Sequence, residues 1–485
     1  MDQKIIKSKL TTTTSPSSHH KYRPEIDGLR ALAILPVIFF HAGSEIFSGG
    51  FVGVDVFFVI SGYLITTIIL AERETGTFSL LNFYERRVRR ILPALFFVML
   101  ICLPFAWAWL TPKDLKEFSE SLMTVPVFVS NILFLKQSGY FDTSAELRPL
   151  LHTWSLAVEE QYYLLFPLFI LLTWKLGKRR VVFLLLILLT ISLAFAHWTS
   201  YNKPEIAFFL LPSRIWELAI GVLIGFYFAG KQEIIVTSSV RQVLSWIGVL
   251  LIFYAVFVFS KSTPFPGLYA LVPTIGTALI ILFATPDTIA GKILGSRVFV
   301  GIGLISYSAY LWHQPLFAFA RHKIMSEPTD ALLLSLSIFS LVLAYFSWRF
   351  IEKPFRNPDF IDRKKLVFLA VFFSIFFIGI GLWGTLSEGA VGIRFNTIQN
   401  KVLKTATKSP KRKECHTRGN DYLKPENACK YQTDKTSWAV LSDSHGVELA
   451  YGLSEILKLR DDGVIHFTFS GCNPSLNRIS VRAGC

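Results

Sequence analysis

Apolar residues in this chain come in long blocks, not in the short rhythms of soluble helices and strands. Eleven such blocks lie near residues 29–47, 51–71, 91–110, 153–173, 181–199, 207–228, 244–260, 268–285, 299–320, 331–349 and 366–386. Each is close to the roughly 20 residues that a helix needs to cross a bilayer. The stretch Leu122–Leu135 is too short to cross and reads as a re-entrant or surface-lying segment. From about residue 387 the apolar blocks stop and Lys, Asn, Asp and Thr take over. There Trp438–Leu441 reads as a strand and Val447–Leu459 as a helix. The expected fold class is an all-α polytopic membrane bundle, about ten helices plus one linking span, followed by a partial α/β domain. The expected divisions are a disordered cytoplasmic tail (1–21), a membrane domain (22–360), a linking helix (361–386) and an outer domain (387–485).

Composition supports the class and narrows the partners. Of 485 residues, 52% are hydrophobic, and the mean hydropathy is positive. The net charge of +15 raises the question of nucleic acid. Its distribution answers that question. With the N-terminus inside, inner loops carry about three times as many Lys and Arg as outer loops. The charge therefore sets orientation, and no nucleic-acid partner is expected. The polar, Ser/Thr-rich residues 1–20 do not form a cleavable secretion signal. An odd number of spans places the C-terminal region outside. Four of the five cysteines (Cys415, Cys429, Cys472, Cys485) fall in that region. They can form two disulfides in any of three pairings. Their spacing does not suit zinc, and no metal is expected.

Ionisable residues inside spans are costly and face a bundle interior or a wet cavity. Arg30 and His41 share one helix face, three turns and about 16 Å apart. Asp55 sits early in the second span. Arg87 and Arg90, three apart in Tyr84-Glu85-Arg86-Arg87-Val88-Arg89-Arg90, suit either a positive-inside anchor or a phosphate clamp. Glu159 and Glu160 open the fourth span, as helix-end acids or as functional groups. Arg214 and Glu217 can pair on one face, as a structural ion pair or in binding. His313 is open to a core or a catalytic reading. His41, Asp55, Glu159, Arg214 and His313 all fall in the outer half of the bilayer, and the arginine cluster on the inner rim. This sorting suggests a tunnel, with an anionic cofactor held inside and an acceptor approaching from outside.

Several segments together resemble the integral-membrane acyltransferase-3 family. They are Arg23–Ala31, the Arg30-to-His41 spacing, Gly53–Tyr63, Arg87–Pro93, His152–Tyr163 and Tyr307–Pro315. The resemblance implies acyl transfer, commonly acetyl from acetyl-CoA, to a glycan hydroxyl. It implies that His41 is the essential histidine, Arg30 its partner, and Arg87 and Arg90 contacts of the CoA phosphates. A neutral imidazole can take the proton of a hydroxyl attacking a thioester. Asp55 or Glu159 would orient that imidazole, and an acyl-histidine intermediate is the competing route. Glu160, Arg214 and His313 remain as candidates for binding the acceptor. The expected partners are membrane lipid, acyl-CoA and a surface glycan such as lipopolysaccharide O-antigen, at a bacterial inner membrane. A transporter or glycan-binding scaffold without chemistry is the alternative.

The outer domain resembles the SGNH hydrolases through Ser442-Asp443-Ser444, on a strand-to-helix turn that suits a nucleophile. Ser444 is the candidate nucleophile. No Asp-x-x-His follows it before Cys485, so the expectation is an incomplete domain without a Ser-His-Asp triad of its own.

Overall fold

Pro24 opens the first helix, where its missing N–H costs nothing, because the first amides of a helix have no internal partner. A computed structural model describes residues 22–138, 145–229, 234–324, 328–395, 409–416, 425–431, 435–443 and 446–468. The chain divides into two compact units, residues 1–390 and 391–485. The tail expected over 1–21 lies outside the described residues.

Among its described residues the first unit is built of helices and the turns between them. Its helices are α1 (Pro24–His41), α2 (Gly53–Glu74), α3 (Leu80–Trp109), α4 (Pro112–Thr124), α5 (Ser130–Lys136), α6 (Thr153–Thr173), α7 (Lys178–Asn202) and α8 (Pro204–Phe209). There follow α9 (Ile215–Phe228), α10 (Ser238–Val258), α11 (Leu271–Phe283), α12 (Ile289–Leu294), α13 (Arg297–Lys323), α14 (Asp330–Ser347), α15 (Lys353–Arg356) and α16 (Arg363–Leu386). Each of the eleven apolar blocks has a helix. Among the described residues, α2, α3, α6, α7, α10, α14 and α16 are long and apolar enough to cross a membrane. The shorter α9 and α11 are also apolar. α1 and α13 hold the polar chemistry described below.

Three details depart from the block pattern. The block at 207–228 is not one helix. Pro212 cannot donate to the ladder, so α8 gives way to a 3₁₀ turn at Leu211–Ser213, and Arg214 caps α9. The Leu122–Leu135 stretch is divided between α4 and α5. α14 ends in a π-helical turn, Trp348–Glu352, a local widening that recurs at functional sites.

Small residues set how close the helices come. A Cβ on Gly62 would lie 2.0 Å from Leu218 O, and one on Gly221 would lie 2.1 Å from Val59 O. α2 and α9 therefore cross with backbones almost touching. Between apolar helices in lipid, such close packing replaces the hydrophobic drive available in water. α1 packs on α13 in the same way, with Gly303 against Asp27 O. The first turn of α1 is thus held in a fixed place.

The second unit is α/β. It contains α17 (Val391–Arg394), α18 (Arg412–Cys415), β1 (Cys429–Tyr431), β2 (Thr436–Ser442), α19 (Gly446–Leu457) and β3 (Gly463–Thr468). The sheet order is β1-β3-β2, with β2 parallel and β1 antiparallel to β3. β2, α19 and β3 make one βαβ crossover, packed around Tyr431, Val440, Ala450, Leu457 and Val464. Cys415 and Cys429 form a disulfide. Cys472, Cys485 and the candidate nucleophile Ser444 lie outside the described residues.

Candidate active site

His41 is the last residue of α1. Its Nδ1 lies 2.9 Å from Val37 O, one turn back. A carbonyl can only accept, so Nδ1 carries a proton, and in the neutral ring Nε2 holds the free lone pair. Among the described residues Nε2 has no hydrogen-bond partner. The His41 ring is 5.0 Å from that of His313 on α13, and His313 is 5.5 Å from His152, the residue that caps α6. His313 Nδ1 is tied to Tyr310 O at 2.7 Å, and its Nε2 has no partner among the described residues. His152 is buried, and among the described residues neither ring nitrogen has a partner. Three imidazoles from three helices thus form one cluster. Sequence reasoning named His41 and His313 but gave His152 no role. The available signal was its place at the start of a span whose outer end also carries Glu159.

A cavity open to solvent, with about 810 Å³ of unfilled space counting its mouth, approaches this cluster between α1, α2, α3, α6 and α13. Arg30, Ser61, Arg87, Arg90, Glu159 and Tyr310 are among its walls. Glu159 accepts from Ser61 Oγ and Tyr163 OH. Arg30 pairs with Asp27 at 3.2 Å. A second cavity, of about 1200 Å³, is lined by Arg86, Arg87, Arg89, Arg90, Arg356 and Arg363 against one acid, Glu85. Arg87 and Arg90 belong to both cavities. The other four arginines each have a carboxylate partner. Arg86 pairs with Glu72 at 2.7 Å, Arg89 with Glu85 at 2.8 Å, Arg363 with Glu85, and Arg356 with Glu352. Among the described residues Arg87 and Arg90 have no carboxylate partner. Arg87 lies instead over the Phe83 and Tyr163 rings.

Residues 23–349 match the family model described as an acyltransferase domain. The chain belongs to the acyltransferase-3 family. Residues 414–485 match a second model, an SGNH domain fused to such acyltransferase domains. Relatives of this acyltransferase-3 chain include the O-acetyltransferase OatA of Staphylococcus aureus strain MRSA252. The two are 31% identical over 385 residues, 76% of this chain and 63% of that protein. OatA of strain NCTC 8325 / PS 47 is 32% identical over 381 residues, 76% of this chain and 62% of the relative. A putative O-acetyltransferase of strain MSSA476 is 30% identical over 409 residues, 79% of this chain and 67% of the relative. The matched part of the chain therefore spans less than two thirds of either OatA relative's length. No solved structure matches.

Within this acyltransferase-3 unit the structure corrects three expectations. First, among the described residues the walls of the cavity that Arg87 and Arg90 line reach Tyr310 and do not include His41. The cavity stops at Tyr310, whose hydroxyl is held by Ser155 Oγ at 2.6 Å and by His152 O at 2.7 Å. Tyr310 is 5.3 Å from His313, so the cavity ends two ring contacts short of His41. Second, Asp55 does not reach His41. Its Oδ1 accepts from Arg214 Nη1 at 2.9 Å, and the same nitrogen lies 3.0 Å from Glu217 Oε1. Third, Arg214 is not available to an acceptor. It is 1% exposed and enclosed by the rings of Trp154, Phe208 and Phe265. Glu159 lies in the cavity wall, with hydroxyl partners in place of an imidazole. Glu160 has one buried carboxylate oxygen without a partner among the described residues.

In the second unit, His466 is buried in β3 and stacks on Tyr431, with ring centroids 5.4 Å apart. Cys415, Cys429 and His466 lie close together. The two sulfurs are joined to each other, and a disulfide is not the thiolate that binds a metal.

Proposed function

We propose that this chain is a membrane O-acyltransferase that moves an acetyl group from acetyl-CoA to a hydroxyl of a cell-surface glycan. The observation that carries the reading is the pair Arg87 and Arg90, uncommitted and shared by two cavities. Two guanidinium groups without carboxylate partners suit the phosphates of a nucleotide thioester. From that anchor the acyl arm would enter the cavity toward Tyr310. At the far side, His41 Nε2 would take the proton of the acceptor hydroxyl as it attacks the thioester carbonyl, and would return it to the CoA sulfur as the C–S bond breaks and the thiol leaves. Val37 O fixes the tautomer that this step requires. Tyr310 stands between this cavity and His313, so the acyl group would pass beside it. Arg30 supports the cavity wall through Asp27. Glu160 and His313 remain candidates for acceptor binding. The name O-acetyltransferase carried by the relatives supports this reading. The bias of Lys and Arg in the loops supports an inner-membrane location with the N-terminus in the cytoplasm and the C-terminal unit outside.

The test is His41→Ala, read by mass spectrometry of the surface glycan. Loss of a general base predicts transfer slowed by about 10²–10⁴-fold, with glycan export intact. Export lost while O-acetylation persists would move the assignment to a transporter. Ser444→Ala in the same assay is expected to leave the membrane step running.

A further inference from the structure

A third cavity lies beside the arginine cavity and differs from it in chemistry. About 630 Å³ of unfilled space is walled almost wholly by apolar groups of α3, α16 and the segment formed by the π-helical turn and α15. On α3 its wall is Val88, Leu92, Phe96 and Leu100, each four residues after the last, so they share one face. On α16 it is Leu366, Ala370 and Phe373. The Phe96 and Phe373 rings meet across it at 6.0 Å.

The groove and the arginine cavity interleave in sequence on all three elements. Val88 lies between Arg87 and Arg89, Phe355 precedes Arg356, and Leu366 is one turn after Arg363. One end of the groove is therefore basic. From Val88 to Leu100 it runs about 18 Å along α3. That is close to half the hydrocarbon thickness, about 15 Å, so its length suits the chain of one leaflet. We propose that this groove is a specific site for an anionic phospholipid, its acyl chain between α3 and α16 and its phosphate at Arg356 and Arg363. Both arginines are partly exposed, and each has one carboxylate partner that neutralises only part of a strongly cationic rim. A lipid here would fasten α16 to the acyltransferase helices. The lipid phosphate would share the arginine cavity with the nucleotide phosphates, but the site does not require the acyl-transfer reading.

The test uses the full chain in vesicles of equal phosphatidylglycerol and phosphatidylcholine, with a photoreactive group in the chain of the former. Cross-links are expected in residues 88–100 and 366–373, in excess of those on the lipid-exposed face of α7 at Phe183 and Ile191. Ala370→Trp, which fills the groove, should remove that excess. Native mass spectrometry should show phosphatidylglycerol retained over phosphatidylcholine, and Arg363→Gln should lower the preference about five-fold, the effect of one cation near a phosphate. Cross-links in the wild type spread evenly over α7 and the groove, or equal retention of the two lipids, would overturn the proposal. The cross-link map needs no variant, so misfolding of Ala370→Trp would not protect the proposal.

Discussion

Two cationic sites in the membrane unit, one buried and one half-buried, teach opposite lessons. Around Arg214, two carboxylates and three aromatic rings close on one guanidinium, and all three charged residues are at most 1% exposed. At Arg87 and Arg90, two guanidinium groups line open space with no carboxylate partner among the described residues. Sequence alone marks both alike, as charges within or beside apolar blocks. The place of a charge in an apolar block is thus a poor guide to function, and its remaining hydrogen-bonding capacity is a better one. The Arg214 cluster pins α2 to α9 and to the turn before it. The arginine pair has something left to bind.

That contrast breaks most sharply at Arg214. Arg214→Met removes the cation and strands Asp55 and Glu217, so it should cost about 3–5 kcal/mol, measured as thermal unfolding in detergent. Stability unchanged with transfer abolished would place Arg214 in the chemistry and end the comparison. Arg87→Gln and Arg90→Gln should each lower kcat/KM for acetyl-CoA by about 10- to 100-fold, mainly through KM, since a hydrogen bond to a charged group contributes about 1.5–3 kcal/mol. Their melting temperatures should stay at the wild-type value. A fall in stability matching the Arg214 variant would show that they too are structural. Arg87→Lys keeps the charge and loses the planar fork, so its KM should rise less than that of Arg87→Gln in the same titration. The smallest effect is expected from Asp55→Asn, which still accepts from Arg214 and removes one of two neighbouring negative charges. Its unfolding should shift by about 1 kcal/mol or less, with transfer rates retained.

The apolar blocks determined the helical class and the place of each long helix, because hydrocarbon forces every spanning backbone to satisfy its own hydrogen bonds. The spacing of Arg30 and His41, the Arg87–Arg90 pair and the end of the apolar blocks near residue 387 were also legible, since each depends only on positions close in the chain. Pro212 could have signalled the break before α9, but a block average hides one residue. Partner choice was not legible. Asp55 finds Arg214 across 159 positions, and His41 finds His313 and, through it, His152, because α1, α6 and α13 converge. The wall at Tyr310 is likewise a tertiary fact, made by a hydroxyl held between Ser155 and the backbone of His152. Composition and periodicity say which side chains must leave the lipid. Only the packing of helices brought together from distant sequence decides which of them are then satisfied and which are left open to a ligand.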